Sequence, residues 1–183
     1  MKVFIDMDGV LADFNLAAHL AHGREDCYPG NPSAYGEWHI EKVWGCTPEE
    51  FWAPLQYKGF WENIPKTPEA DMIVELCLEK FGEKNTAILT SPSLDPYSVP
   101  GKREWIATRY RELRDQMLFG KAKGFVAGPR KVLIDDCDRN IWEWSDEGGY
   151  VIQVPRLWNV EWPMAFNGRT YEVVKGRINS IDV

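Results

Sequence analysis

Four short apolar runs punctuate the chain, at Lys2–Ile5, Thr86–Thr90, Lys131–Ile134 and Tyr150–Val154. None alternates in polarity, the pattern of strands covered on both faces of a parallel sheet. A weaker run at Gly124–Ala127 predicts a further strand. Helical spacing fills the gaps between them. Ala70–Phe81 sets Ile73, Leu76, Cys77 and Lys80/Phe81 three and four positions apart, with Thr67-Pro68 as an N-cap and first-turn pair and Gly82 as the stop. Lys102–Leu118 repeats the spacing through Trp105, Ile106, Arg109/Tyr110, Leu113 and Met117. Asp138 is placed to cap a helix over Arg139–Glu147, which Gly148-Gly149 ends. Strands alternating with helices predict an α/β fold, a parallel sheet joined by right-handed crossovers.

Residues 14–68 break this rhythm, being far longer than an ordinary strand-to-helix connection. They are rich in aromatics, with Trp38, Trp44, Trp52, Trp61, Phe51 and Phe60 among several prolines. Thr47-Pro48-Glu49-Glu50 has the form of a capping box. The segment reads as a small, mainly helical cap inserted after the first strand, over the carboxyl ends of the strands. The core is then 1–13 and 69–183, and the stretch from Arg169 onward carries no pattern of its own.

Composition narrows the class. The chain has 183 residues, 44% apolar and 27% charged, enough for one domain and an insertion. Its net charge of −7 has the wrong sign for holding a long nucleic acid. Yet residues 101–131 hold Lys102, Arg103, Arg109, Arg111, Arg114, Lys121, Lys123, Arg130 and Lys131 against Glu104, Glu112 and Asp115. A basic band on an acidic body suits a small anion. No run approaches a membrane span, and Asp6 and Asp8 stand where a signal peptide needs its apolar stretch. Cys27, Cys46, Cys77 and Cys137 form neither a CxxC nor a dense framework. The expectation is a cytoplasmic protein in a reducing compartment.

The acids carry the chemistry. Asp6 and Asp8 leave the first strand at i and i+2, so both carboxylates can face one site while Met7 points away, and Gly9 permits the turn that follows. Asp135 and Asp136 end another predicted strand. Strand ends line the crevice of an open α/β sheet, so the four acids converge. Helix caps and turns are the other use of such acids, but a strand-end acid pair occurs twice here behind matching apolar runs. Four carboxylates so close raise one another's pKa unless a cation joins them, and an all-oxygen donor set favours magnesium. Thr90-Ser91, at the end of a third run, can hold phosphate oxygens, although the same residues also form ordinary turns. Lys121 and Lys123 both precede the strand leading to Asp135, and Lys123 is preferred.

Asp6-Met7-Asp8-Gly9-Val10-Leu11-Ala12-Asp13-Phe14, Thr90-Ser91-Pro92, a lysine and Leu133-Ile134-Asp135-Asp136 together resemble the ordered motifs of the haloacid dehalogenase-like phosphatases. Within that superfamily, Lys102-x-x-Trp105 and Asn140 make the chain most similar to the 5'(3')-deoxyribonucleotidases and their phage and bacterial relatives. The resemblance implies a haloacid dehalogenase-like Rossmann-type core with a cap. It implies Asp6 as nucleophile, Asp8 as general acid and base, and Thr90 with Lys123 neutralising phosphoryl oxygens. Magnesium would lie on Asp6, the Asp8 carbonyl and one of Asp135 and Asp136, the family pattern pointing to Asp136. Phe14 would stack on a base, with Trp52, Phe51 or Trp44 as further wall, and Ser91 would contact phosphate.

The expected partner is a small phosphomonoester, with no long nucleic acid, no membrane, and a homodimer as one possible assembly. A sugar phosphate or polynucleotide end is the alternative substrate, and a non-catalytic phosphate-binding module the alternative class. Cys27, His39 and Cys46 lack the spacing and fourth ligand of a zinc site. Cys137 reads as a packing residue, and His19 and His22 as surface or cap residues.

Overall fold

In a computed structural model, which describes residues 1–24, 28 and 34–182, the apolar runs pair as a parallel sheet. The strands are β1 (Lys2–Ile5), β2 (Thr86–Thr90), β3 (Met117–Phe119), β4 (Lys131–Asp135) and β5 (Tyr150–Gln153), in the order β3-β2-β1-β4-β5. β1 is central, with Phe4 opposite Ala87 on one side and Leu133 on the other. The sheet's two faces explain why these strands do not alternate in polarity. Val3, Ile5, Ile88, Val132 and Ile134 enter one apolar cluster, while Phe4, Leu89 and Leu133 enter another against Trp144.

The helices supply the two covering layers. On the first face α5 (Ala70–Phe81) buries Ile73, Val74 and Cys77, and α9 (Thr170–Ser180) buries Val174 and Ile178. On the second face α7 (Asp138–Asp146) brings in Trp144, edge-on to Phe4 at 5.4 Å. α6 (Ser98–Arg109) connects β2 to β3, and α8 (Trp162–Phe166) precedes α9. Residues 14–68 carry α1 (Phe14–Ala21), α2 (Ile40–Trp44), α3 (Pro48–Trp52) and α4 (Lys58–Glu62). Phe51, Leu55, Phe60, Trp61 and Ile64 of this segment are buried in the same cluster as the first sheet face. Thr47 and Glu50 form the expected capping box at α3.

Several sequence expectations are corrected. The helix predicted over Lys102–Leu118 starts earlier and stops at Arg109; a 3-10 turn at Arg111–Leu113 follows, and Met117 and Leu118 belong to the edge strand β3. The strand predicted at Gly124–Ala127 is a 3-10 turn over Lys123–Val126, with Phe125 exposed rather than packed. Thr67 does not cap α5: its hydroxyl donates to Val10 O at 2.6 Å, and Glu69 is the N-cap. Asp138 is the first residue of α7 rather than its cap, and its carboxylate accepts from Gln153 and from the Val160 N–H. The segment from Arg169 onward, which carries no pattern in the sequence, forms α9. Among the described residues no helix is long and apolar enough to cross a membrane.

His19 is buried, not a surface residue. Its Nδ1 donates to Asn15 O at 2.8 Å, while Nε2 is buried with no partner among the described residues, and the ring sits edge-on to Trp44 at 4.8 Å. Burial holds its pKa below the usual 6.5, against the Asn15 bond and Asp13, with Arg24 and His22 acting in the same direction as burial. A histidine held neutral stabilises fully above its unfolded pKa, and that contribution fades as pH falls below about 6.5. The wild type is therefore expected to lose more stability than His19→Gln between pH 7 and pH 5. Melting temperatures of both proteins across that range test this, and parallel curves would refute it.

Candidate active site

β1 delivers the first two acids. The Asp6 N–H donates to Ile134 O at 2.9 Å, extending the ladder one residue past the strand, and Met7 is wholly buried. The chain then turns tightly, Met7 O accepting from the Leu11 and Ala12 N–H groups at 2.8 Å each. Gly9 makes this turn with φ +73, and a Cβ there would collide with the Asp136 carboxylate. One carboxylate oxygen from each of Asp6, Asp135 and Asp136 lies within 4.8 Å of the others. Asp8 stands apart, its side chain reaching into a cavity.

Two buried lysines face these acids. Lys123 Nζ lies 2.6 Å from Asp135 Oδ2 and 2.8 Å from Asp6 Oδ1. The second contact has ion-pair distance but not hydrogen-bond geometry, so Asp6 Oδ1 has no donor among the described residues. Burial works against the Lys123 ammonium, but the Asp135 and Asp6 charges outweigh it and raise its pKa. Lys102, in the first turns of α6, donates to Asp8 Oδ2, to Thr90 Oγ1 at 3.1 Å and to Ser91 O at 2.7 Å. It is placed by close packing of α6 on α4: a Cβ on Gly101 would collide with Trp61. The Lys102 ammonium lies 5.3 Å from the Trp61 ring centroid, and that indole donates to Asp95 Oδ2 at 2.6 Å.

The adjacent acids at the end of β4 differ in their surroundings. Both oxygens of Asp135 are occupied, Oδ1 by the Cys137 N–H at 2.8 Å and Oδ2 by Lys123, with Asn140 Nδ2 at 3.2 and 3.0 Å respectively. Burial pushes its pKa up to about 6 against the pull of Lys123. Burial, with Asp135 and Asp6 adding to it, raises Asp136 well above the carboxylate range. Asp8 is raised by burial, opposed by Lys102. Asp6, Asp8 and Asp136 each keep one buried Oδ1 without a donor among the described residues. Unsatisfied buried carboxylate oxygens are costly, and an all-oxygen set of them is what a hard divalent cation takes. The residues present fit magnesium.

A cavity of about 650 Å³ opens at Asp8 and Asp136, with Asp6 and Asp135 outside its lining. Its lining includes the polar Asp8, Asp136, Ser91, Lys102 and Lys121 and the aromatic Phe14, Trp38, Phe51, Trp52 and Trp61. The two lysines left open by the sequence thus have different places: Lys121 is exposed at the cavity, and Lys123 is sealed between Asp6 and Asp135. Thr90 is fully buried and does not line the cavity; its hydroxyl is engaged by Lys102. Phe14 stands amid the aromatics of residues 14–68, its ring centroid 5.8 Å from Trp52 and 5.9 Å from Trp61. Trp44 packs on His19 and His22 and does not line the cavity. His39 pairs with Glu41, and Cys46 is half-buried, while the Cys27 part of the discarded zinc reading lies outside the described residues. Burial pushes the Cys137 thiol up to about 11, away from the thiolate form. Sequence reasoning missed Lys102 as a site residue and the segment after β5, whose Trp158 also lines the cavity.

No protein-family model and no curated protein matches the chain. Its structure is similar to that of a mutant of CbbY from Rhodobacter sphaeroides in complex with xylulose-(1,5)-bisphosphate, with a TM-score of 0.51 and 13% identity over 87% of this chain and 88% of that one. Weaker likenesses are to a haloacid dehalogenase-like family hydrolase from Streptococcus pneumoniae (TM-score 0.49, 14% identity, 83% of each chain) and to a haloacid dehalogenase family enzyme from Bacteroides thetaiotaomicron in complex with magnesium and inorganic phosphate (0.42, 12%, 85% and 94%). At these identities what is shared is the fold. It is an α/β fold with a five-stranded parallel sheet flanked by helices.

Proposed function

We propose that the chain is a magnesium-dependent phosphomonoesterase of the haloacid dehalogenase-like superfamily, acting on deoxynucleoside monophosphates in the manner of the 5'(3')-deoxyribonucleotidases. The observation that carries this reading is the division of labour between Asp6 and Asp8. Asp6 is paired with Lys123 and clustered with Asp135 and Asp136, whereas Asp8, two residues on, reaches the cavity where a leaving group would sit. A bound magnesium would be held by Asp6, Asp136 and the Asp8 carbonyl, and supplies charge neutralisation at the phosphoryl oxygens.

Asp6 attacks phosphorus, forming the Oδ–P bond as the ester P–O bond breaks. The leaving oxygen takes its proton from Asp8, which then removes a proton from the water that hydrolyses the aspartyl-phosphate. Asp8 must enter protonated, and burial raises its pKa in that direction. Lys102 and Ser91 both line the cavity and would supply donors to phosphoryl oxygens, with Lys123 as the countercharge paired with Asp6. The aromatic wall from Phe14 to Trp61 offers flat apolar surface for a base, and no long polymer is needed to fill it.

Phosphate release over a panel of nucleoside monophosphates and sugar phosphates, with magnesium and with EDTA, tests the reading. Release is expected from deoxynucleoside monophosphates and is expected to cease in EDTA. Asp6→Asn is expected to lose activity by about a thousandfold or more, since a carboxamide cannot form the acyl-phosphate. Release from sugar phosphates alone would remove the nucleotidase assignment, and an active Asp6→Asn would remove the covalent route.

A further inference from the structure

β5 ends at Gln153, and the residues after it turn back across the carboxyl end of the sheet. Their contacts converge on the two strand-end turns already described. The Val154 N–H donates to Asp135 O at 2.9 Å. Arg156 is buried, its Nε donating to Gly9 O at 2.6 Å and its Nη2 to Glu69 Oε2 at 3.0 Å. Asn159, fully buried, donates from Nδ2 to Asp136 O at 2.8 Å and Val154 O at 2.9 Å, and accepts at Oδ1 from the Arg156 N–H at 3.2 Å. Trp158 completes the set: its indole Nε1 donates to Asp136 Oδ2 at 2.6 Å.

The two oxygens of Asp136 are therefore unequal. Oδ2 accepts from Trp158 and lies so close to Gly9 that any Cβ there would collide with it. Oδ1 is buried and accepts from nothing among the described residues. From this asymmetry we infer that Trp158 is a positioning residue for the cation site: its N–H occupies Asp136 Oδ2, fixes the plane of that carboxylate, and leaves Oδ1 as the oxygen offered to a divalent cation. The inference rests on the reading of Asp6 and Asp136 as a magnesium site. An indole suits the task chemically. It donates one hydrogen bond, accepts none and carries no charge, so it orients the carboxylate without competing for the metal. Partners that orient a ligand in this way commonly govern metal affinity. The backbone contacts of Arg156 and Asn159 fix the loop on which Trp158 is carried, so the indole arrives on a braced segment.

Magnesium binding by calorimetry on the full chain tests this with Trp158→Phe, which keeps an aromatic side chain and removes the donor. The dissociation constant is expected to rise about 10- to 100-fold. Phosphate release from a responding deoxynucleoside monophosphate should return most of the way to wild type at saturating magnesium, because the defect lies in holding the metal. In an Asp136→Asn background the same substitution should change residual affinity by less than twofold, since the group it orients is gone. The unsubstituted protein gives a second readout should Trp158→Phe fail to fold. Among its indole N–H resonances, one should shift both on magnesium addition and in Asp136→Asn.

Wild-type magnesium affinity in Trp158→Phe, or no indole resonance that responds to both changes, overturns the inference while leaving the phosphatase reading intact. Weakened magnesium binding in a protein that releases phosphate from no substrate upholds the inference and removes the phosphatase reading. A wild-type chain that binds no magnesium removes the inference together with the cation site.

Discussion

Replacing Lys123 with methionine is expected to cost about 3–5 kcal/mol, the usual loss when one partner of a buried ion pair is removed. For a chain of this size that corresponds to a fall in melting temperature of roughly 6–20 °C. The side chain is fully buried between Asp6 and Asp135, so methionine fills its volume and leaves two carboxylates without a countercharge. The effect is electrostatic, and three comparisons separate it from a packing defect. Magnesium should restore part of the lost stability, because a cation beside Asp6 replaces some of the missing charge. The double variant Lys123→Met/Asp135→Asn should be more stable than Lys123→Met alone, because one of the stranded charges is removed with its partner. Lys121→Met, an exposed neighbour at the cavity, should change stability by no more than about 0.5 kcal/mol. Phosphate release should fall by about a hundredfold or more in Lys123→Met, the scale of losing one preorganised charge beside a reacting group. An unchanged melting temperature would mean that Lys123 is not the countercharge of this site.

Which parts of this arrangement are readable in the sequence follows from how locally each is determined. β1, β2 and β4 declare themselves because both faces of the sheet are covered, so Val3, Phe4 and Ile5 are apolar in succession. β3 does not. It is a three-residue edge strand, and Met117 stands four positions after Leu113, which fits a helix equally well. The Gly124–Ala127 run is apolar without being buried as a strand, and Phe125 lies in the open. Among site residues, Asp6, Asp135 and Asp136 stand at or just past the ends of β1 and β4, so the pairing of those two strands brings them together, with Asp8 apart from them. Lys102 comes to Asp8 from 94 positions away, through the packing of α6 against α4 at Gly101 and Trp61. Trp158 returns to Asp136 over a loop whose course depends on buried hydrogen bonds from Arg156 and Asn159. A motif marks where charge must go; these two residues answer that charge from elsewhere in the fold.

Gly9→Ala is expected to abolish most magnesium-dependent phosphate release, by about a hundredfold, while the protein still folds. Two costs combine at this position. A φ of +73 strains any residue with a Cβ by about 1–2 kcal/mol. The added methyl would also drive into the Asp136 carboxylate, standing 2.6 Å from its Cγ. Asp136 has little room to yield, since Trp158 holds its Oδ2 and Asn159 its backbone carbonyl. Either the carboxylate turns out of place or the turn carrying Asp6 and Asp8 shifts away from β4, and both outcomes separate the acids that must act together. Gly45→Ala isolates the first cost: its φ is +67 in the left-handed region, no neighbouring atom lies within 4 Å of the added methyl, and it ends α2 outside the cavity lining. That control should lower the melting temperature by a few degrees and leave phosphate release and magnesium affinity unchanged. Magnesium titration of the two variants separates strain from collision: only Gly9→Ala should require far more cation, and equal affinities would show that the contact between Gly9 and Asp136 does not govern the site.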